Sequence, residues 1–127
     1  MKVVIADSNL LPHRARFEDR ISSDVALSWH ENFDVDAIAA DVADATVYVG
    51  GKFPAALAEA SPKLRLVHVA GAGTDGVAFD ALSPQTLVAN TFHHERSIAE
   101  YVAATAVVLR RRFLEQDRQL REGRWAS

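Results

Sequence analysis

The apolar positions of this chain follow two rhythms that alternate along most of its length. Short runs rich in β-branched residues, KVVIA (2–6), VALSW (25–29), TVYVG (46–50), RLVHVA (65–70) and TLVAN (86–90), have the length and composition of buried strands. Between them the spacing predicts helices over roughly 13–22, 34–43, 54–61 and a short 77–82, with Asp34 as an N-cap and Pro54 in a first turn. Strands and helices in alternation build βαβ units. The expected architecture is therefore α/β, a five-stranded parallel sheet covered by helices on both faces.

The last segment breaks this rhythm. From Ser97 to about Gly123 there is no strong breaker, and IAEYVAATAVVL (98–109) is apolar on nearly every side until Arg110-Arg111-Arg112 opens a polar half. Phe113, Leu114, Leu120 and Trp125 continue a narrower apolar stripe. Such a helix asks to be buried all round, more than a sheet of this size can cover. It is expected to pack on another domain or on a second copy, giving a homodimer through 97–123. The polar stretch NTFHHER (90–96) is the expected hinge, dividing a compact domain, 1–96, from a linking helix, 97–127.

Composition narrows the functional classes. With 127 residues and no cysteine, the chain can bury a core without staples and offers no thiolate nucleophile or Cys-based metal site. A net charge of −3 provides no basic footprint, so no nucleic acid partner is expected. The apolar run before Asp7 is too short for a signal segment and no stretch approaches membrane-spanning length, so a cytoplasmic protein without a membrane partner is expected. Asp7, Asp19, Asp24, Asp34 and Asp36 are scattered as caps and surface charges, and no metal site is expected. His68, within LVHVA, reads as a sheet histidine.

The most suggestive motif is LRLVHVAGAGTDG (64–76), a strand running into Gly71, Gly73 and Gly76 at the G-x-G-x-x-G spacing of a dinucleotide fingerprint. That fingerprint needs a following helix of several turns and an acidic residue ending the next strand. Here the following segment, VAFDAL, is cut by Ser83-Pro84, and the next strand ends in Asn90. Two readings remain from the residues alone: a tight strand-to-helix turn, or a loop whose backbone amides attract a carboxylate or phosphate.

PKLRLVHVAGAGTDGVAFDAL, LVANT, SIAEYVAATAVVLRR and DRQLREGRW, in this order, resemble the N-terminal half of the D-isomer-specific 2-hydroxyacid dehydrogenases. The resemblance implies a flavodoxin-like, three-layer substrate-binding domain, a linking helix, and a nicotinamide-binding Rossmann domain expected beyond Ser127, where this chain stops. It also implies that the amides of Ala72 and Gly73, with Thr74 beside them, hold a substrate carboxylate. By the same resemblance Lys52 and Phe53 of GGKFP (50–54) face the variable group of the substrate, Asn90 lies beside the cleft, and Glu100 matches an acidic residue opening the linking helix. One departure is His93-His94-Glu95, where many relatives carry Pro-Gly.

An oxidoreductase interconverting a small D-2-hydroxy acid and a 2-oxo acid is therefore expected, with NAD or NADP bound mainly outside this segment. The family's catalytic histidine, glutamate and arginine also normally lie further on. No catalytic residue is assigned here, His93 and His94 included, and the segment alone is expected to be inactive. The competing expectation is a non-enzymatic flavodoxin-like binding or regulatory module. Its phosphoacceptor version is disfavoured, because Gly50 and Asn90 occupy the strand ends where an aspartate and a lysine would be required.

Overall fold

The computed structural model describes residues 1–92 and 94–125. Five strands, β1 (Lys2–Ile5), β2 (Ala26–Trp29), β3 (Val47–Val49), β4 (Leu66–Val69) and β5 (Leu87–Asn90), form one parallel sheet in the order β2-β1-β3-β4-β5. This is the flavodoxin-like order, and its direction of winding reverses between β1 and β3. Each strand lies inside the apolar run that predicts it.

Alternation along the strands sorts their side chains onto two faces. Val4, Ala6, Tyr48, Val67 and Val69 join Ile38, Val42 and Leu57 in the larger core cluster, while Val3, Ile5 and Val49 form a smaller one with Phe17 and Trp29 packed against it. The helices of the first face are α2 (Val35–Val42) and α3 (Ala55–Ala60), and α1 (Arg14–Glu18) supplies Phe17 to the second. Helix α2 starts because the Asp34 carboxylate accepts hydrogen bonds from the N–H groups of Asp36 (3.0 Å) and Ala37 (3.2 Å). It stays because Val35, Ile38 and Val42 share one stripe, with the latter two fully buried.

Three helical elements are shorter than their patterns predict. The 13–22 segment is a 3-10 turn, Leu11–His13, followed by α1, because Phe17 is the only large apolar side chain that this stretch seats in a core cluster. Pro54 is extended (ψ 167°) and sits just outside α3 as its N-cap, so it precedes the first turn. The 77–82 segment is reduced to a 3-10 turn, Phe79–Ala81, with Pro84 just beyond it disfavouring further helix.

Helix α2 is also tied to the sheet edge by charge. Asp41 faces Lys2 Nζ at 2.7 Å and His30 Nε2 at 2.9 Å. Burial alone would raise the Asp41 carboxyl, but hydrogen bonds from Lys2, Ser28 and His30 outweigh it and bring the pKa from 3.8 to about 2. A carboxyl depressed in the folded state stabilises above its unfolded pKa, and that contribution fades as pH falls from about 4 to about 2. The shift corresponds to about 2 kcal/mol at most. Asp41→Asn should therefore be less stable than the parent at neutral pH by roughly that amount, the gap closing near pH 2. Urea unfolding at both pH values checks this, and a gap independent of pH would refute it.

Contacts divide the chain into two compact units, Met1–Thr91 and Phe92–Ser127. The second carries the long C-terminal helical segment, which is split into α4 (Glu95–Arg110) and α5 (Phe113–Arg121). The break needs neither glycine nor proline. Arg112 adopts a left-handed conformation (φ 50°), donates its N–H to the Leu109 carbonyl, and offers its own carbonyl to the N–H groups of Glu115 and Gln116. It thus ends one helix and opens the next, with its guanidinium paired to Glu115 at 2.6 Å. The expected hinge at 90–96 includes His93, and the expected segment 97–127 includes Ala126 and Ser127; these three lie outside the described residues. No helix is long and apolar enough to cross a membrane among the described residues.

Candidate functional site

The loops leaving β3 and β4 are bound to each other. Phe53 N–H donates to the Gly76 carbonyl at 2.7 Å, and Ala78 N–H donates to the Phe53 carbonyl at 2.9 Å, so Phe53 and Val77 form a short parallel bridge beyond the sheet. The Tyr48 hydroxyl donates to the Lys52 carbonyl at 2.7 Å and fixes the same turn from below. Burial, with a smaller contribution from the charge of Asp7, raises the Tyr48 phenol above its ordinary range, so it remains a donor.

Two consecutive candidates in this turn have opposite surroundings. Lys52 is exposed, with its ammonium 5.5 Å from the centroid of the Phe33 ring. Phe53 is fully buried, its ring 4.7 Å from that of Tyr48 in the main core. The expectation that the Phe53 ring meets a ligand needs correcting: its side chain serves the core, and only its backbone reaches the loops. Short-range pattern could not separate the pair, because an aromatic after a glycine turn is as plausible a lid as a plug.

The glycine loop is anchored through its carbonyls. Thr91 N–H donates to the Gly71 carbonyl at 3.0 Å and the Asn90 side-chain amide donates to the Ala72 carbonyl at 2.7 Å. Among the described residues no protein acceptor takes the N–H of Ala72, Gly73 or Thr74. Ala72 and Gly73 are exposed and Thr74 half-buried. The loop thus presents consecutive free donors on a backbone held by its acceptors, an arrangement suited to an anion. Ala72, Gly73, Thr74 and Asn90 are brought together at the ends of β4 and β5, and Asn90 holds the loop directly. Thr91 belongs to the same clamp and was missed because a threonine after a strand carries no distinctive signal.

A pyrophosphate cradle is a poor fit to the same residues. Between Gly76 and β5 the only helical element is the 3-10 turn at Phe79–Ala81, so the loop runs into no α-helix terminus that could face a phosphate. Gly76 serves loop packing instead, since a Cβ there would lie 2.3 Å from the Gly51 carbonyl oxygen.

Beside the Gly51-Lys52 turn, a cleft of about 450 Å³ opens at the carboxyl ends of β1, β2 and β3. Asp7, Asn9, His30, Asn32, Phe33 and Lys52 are among its lining residues. The position of Asp7 at the end of β1 is the one signal in the sequence that could have pointed there.

The catalytic-domain profile of the D-isomer specific 2-hydroxyacid dehydrogenases matches residues 3–120. A search of curated protein sequences finds no match. Among solved structures, an NAD-dependent formate dehydrogenase from Staphylococcus aureus in complex with NAD is similar at TM-score 0.65 and 22% identity, over 99% of this chain and 43% of that one. An NADPH-dependent glyoxylate/hydroxypyruvate reductase from Sinorhizobium meliloti in complex with citrate gives 0.63 and 25% identity, over 98% and 41%. A D-2-hydroxyisocaproate dehydrogenase gives 0.67 and 15% identity, over 97% and 39%. The chain thus spans about two fifths of the length of these structures. With the profile covering nearly all of it, the chain belongs to the D-isomer specific 2-hydroxyacid dehydrogenase family, as its catalytic domain.

Proposed function

We propose that this chain is the substrate-binding half of an NAD- or NADP-dependent oxidoreductase that interconverts a small D-2-hydroxy acid and its 2-oxo acid. The amides of Ala72 and Gly73 hold the substrate carboxylate, with Thr74 beside them, and Asn90 fixes the loop at the edge of the cleft. Lys52 faces the variable group of the substrate. The dinucleotide and the catalytic side chains belong to sequence outside these residues, so the segment alone is inactive. In this reading 1–96 is the substrate-binding domain, 97–127 links it to the nucleotide-binding part, and the protein works in the cytoplasm.

The observation that carries the reading is the glycine loop itself, whose carbonyls are tied to Asn90 and Thr91 while its amides stay free. Charge-assisted bonds from backbone amides need close approach and no particular side chain. Titrating the chain with D-lactate and following backbone amides by NMR should move Ala72, Gly73 and Thr74 first. The same sample should leave NADH unoxidised when pyruvate is added. Silent loop amides would remove the carboxylate site, and measurable NADH oxidation would place catalytic groups within this segment after all.

The reading includes self-association through 97–123. Ile98, Tyr101 and Leu109 of α4 are 54%, 72% and 69% exposed, an apolar surface unusual for a solvated helix. Sedimentation of the chain should show a concentration-dependent dimer, and a monomer throughout would exclude it.

A further inference from the structure

The cleft at the ends of β1, β2 and β3 has no part in holding a carboxylate at the glycine loop, yet it shares a wall with that loop. Gly51 and Lys52 line the cleft, and the next residue of the same turn, Phe53, is hydrogen-bonded through its backbone to Gly76. The cleft also lies where the winding of the sheet reverses between β1 and β3, the place where connections to opposite faces leave a crevice at the strand ends. Its volume of about 450 Å³ far exceeds what a methyl-sized group would fill.

The lining selects the chemistry of an occupant. One oxygen of Asp7 accepts the N–H of Asn9 at 3.0 Å, while Oδ2 lies toward Gly51, 4.0 Å from where a side chain there would begin. Among the described residues no carboxylate lies within ion-pair distance of Lys52, whose ammonium rests on the Phe33 ring. Asn9 and Asn32 each add a donor and an acceptor. An anionic tail would face Asp7 and Glu31, and a cationic tail would face Lys52. An apolar tail would offer no donor to the half-buried Asp7 carboxylate, whose Oδ2 takes no protein hydrogen bond among the described residues. A hydroxyl both donates and accepts, so neighbouring hydroxyls can satisfy carboxylate, ammonium and amide in turn. The partly exposed Phe33 ring offers a flat surface for the C–H side of such a chain.

The walls are held in place. His30 is bonded to Asp41 at 2.9 Å, and the Lys52 carbonyl is bonded to Tyr48. We propose that this cleft is a subsite for a polyhydroxylated chain, the tail of a sugar-acid type of 2-hydroxy acid. The inference rests on the carboxylate reading of the glycine loop and adds the class of tail.

The test compares D-gluconate with D-2-hydroxyhexanoate, ligands with the same carbon count and the same acid end, by NMR titration of the chain. Gluconate should shift the amides of residues 7–9, 31–33 and 51–52 as well as the glycine loop. Hydroxyhexanoate should shift the glycine loop alone and bind about tenfold more weakly, the scale of one or two hydrogen bonds. In Asp7→Ala that ratio should collapse toward one, with the spectrum of the free variant showing that it is folded. If both ligands move the loop and the cleft does not distinguish them, the subsite is refuted and the carboxylate reading stands. Silence at the glycine loop with either ligand overturns the carboxylate reading, and the tail assignment falls with it.

Discussion

Replacing Phe53 by alanine lowers the unfolding free energy of this chain by about 3–5 kcal/mol, the usual cost of removing a buried aromatic ring. The ring is fully buried, packs against the Tyr48 ring in a tilted pair with centroids 4.7 Å apart, and belongs to the cluster that joins the sheet to α2 and α3. Stabilities of small domains lie around 5–15 kcal/mol, so this one change removes a large share of the total. The damage reaches the site because Phe53 also supplies both backbone bonds of the bridge to Gly76 and Ala78. Phe53→Leu, which keeps most of the volume, should cost less than about 1.5 kcal/mol. Lys52→Ala, one residue away on the exposed side, should change stability by no more than about 0.5 kcal/mol. Urea denaturation of the three variants decides the matter. A Phe53→Ala protein as stable as the parent, with altered ligand preference, would return the ring to the cleft.

Phe53 marks where reading the sequence stops being sufficient. The five strands are visible because β-branched runs bounded by turn residues leave little choice, and parallel pairing follows from the helices between them. The Asp34 cap is equally legible, since its carboxylate acts on amides two and three positions away. Local information also separates the glycine loop from a dinucleotide site, through Pro84 and Asn90. It fails where partners are distant in sequence. The Asn90 bond to Ala72 spans 18 residues, and the contact between Asp41 and Lys2 spans 39. The cleft combines three separate loops, so Asp7 gains its meaning from Lys52 and Phe33. Arg112 is a different case: its left-handed turn uses none of the residues that ordinarily announce a break.

The three glycines of the loop should respond to alanine in a graded order, with Gly76 far ahead. A Cβ on Gly76 would lie 2.3 Å from the Gly51 oxygen and 3.2 Å from the Lys52 Cα. Both obstacles are backbone, held by the bonds of Phe53 and Tyr48, and neither can swing aside. Gly76→Ala should therefore cost about 3 kcal/mol, the upper part of the overpacking range. That is a fall in Tm of roughly 10 °C for a domain of this size. On Gly73 the added carbon would meet the Asp75 carboxylate at 3.1 Å, the movable end of a side chain, so the effect should be small. On Gly71 it would meet nothing within 4 Å, and alanine there should stabilise by about 0.4–1 kcal/mol by restricting the unfolded chain. Calorimetry on the three variants reads the order directly. If a pyrophosphate set these spacings, the glycines would be spared for a ligand and the free protein would treat them alike. A steep loss at Gly76 without ligand means that the third glycine is there to seat the β4 loop on the β3 loop.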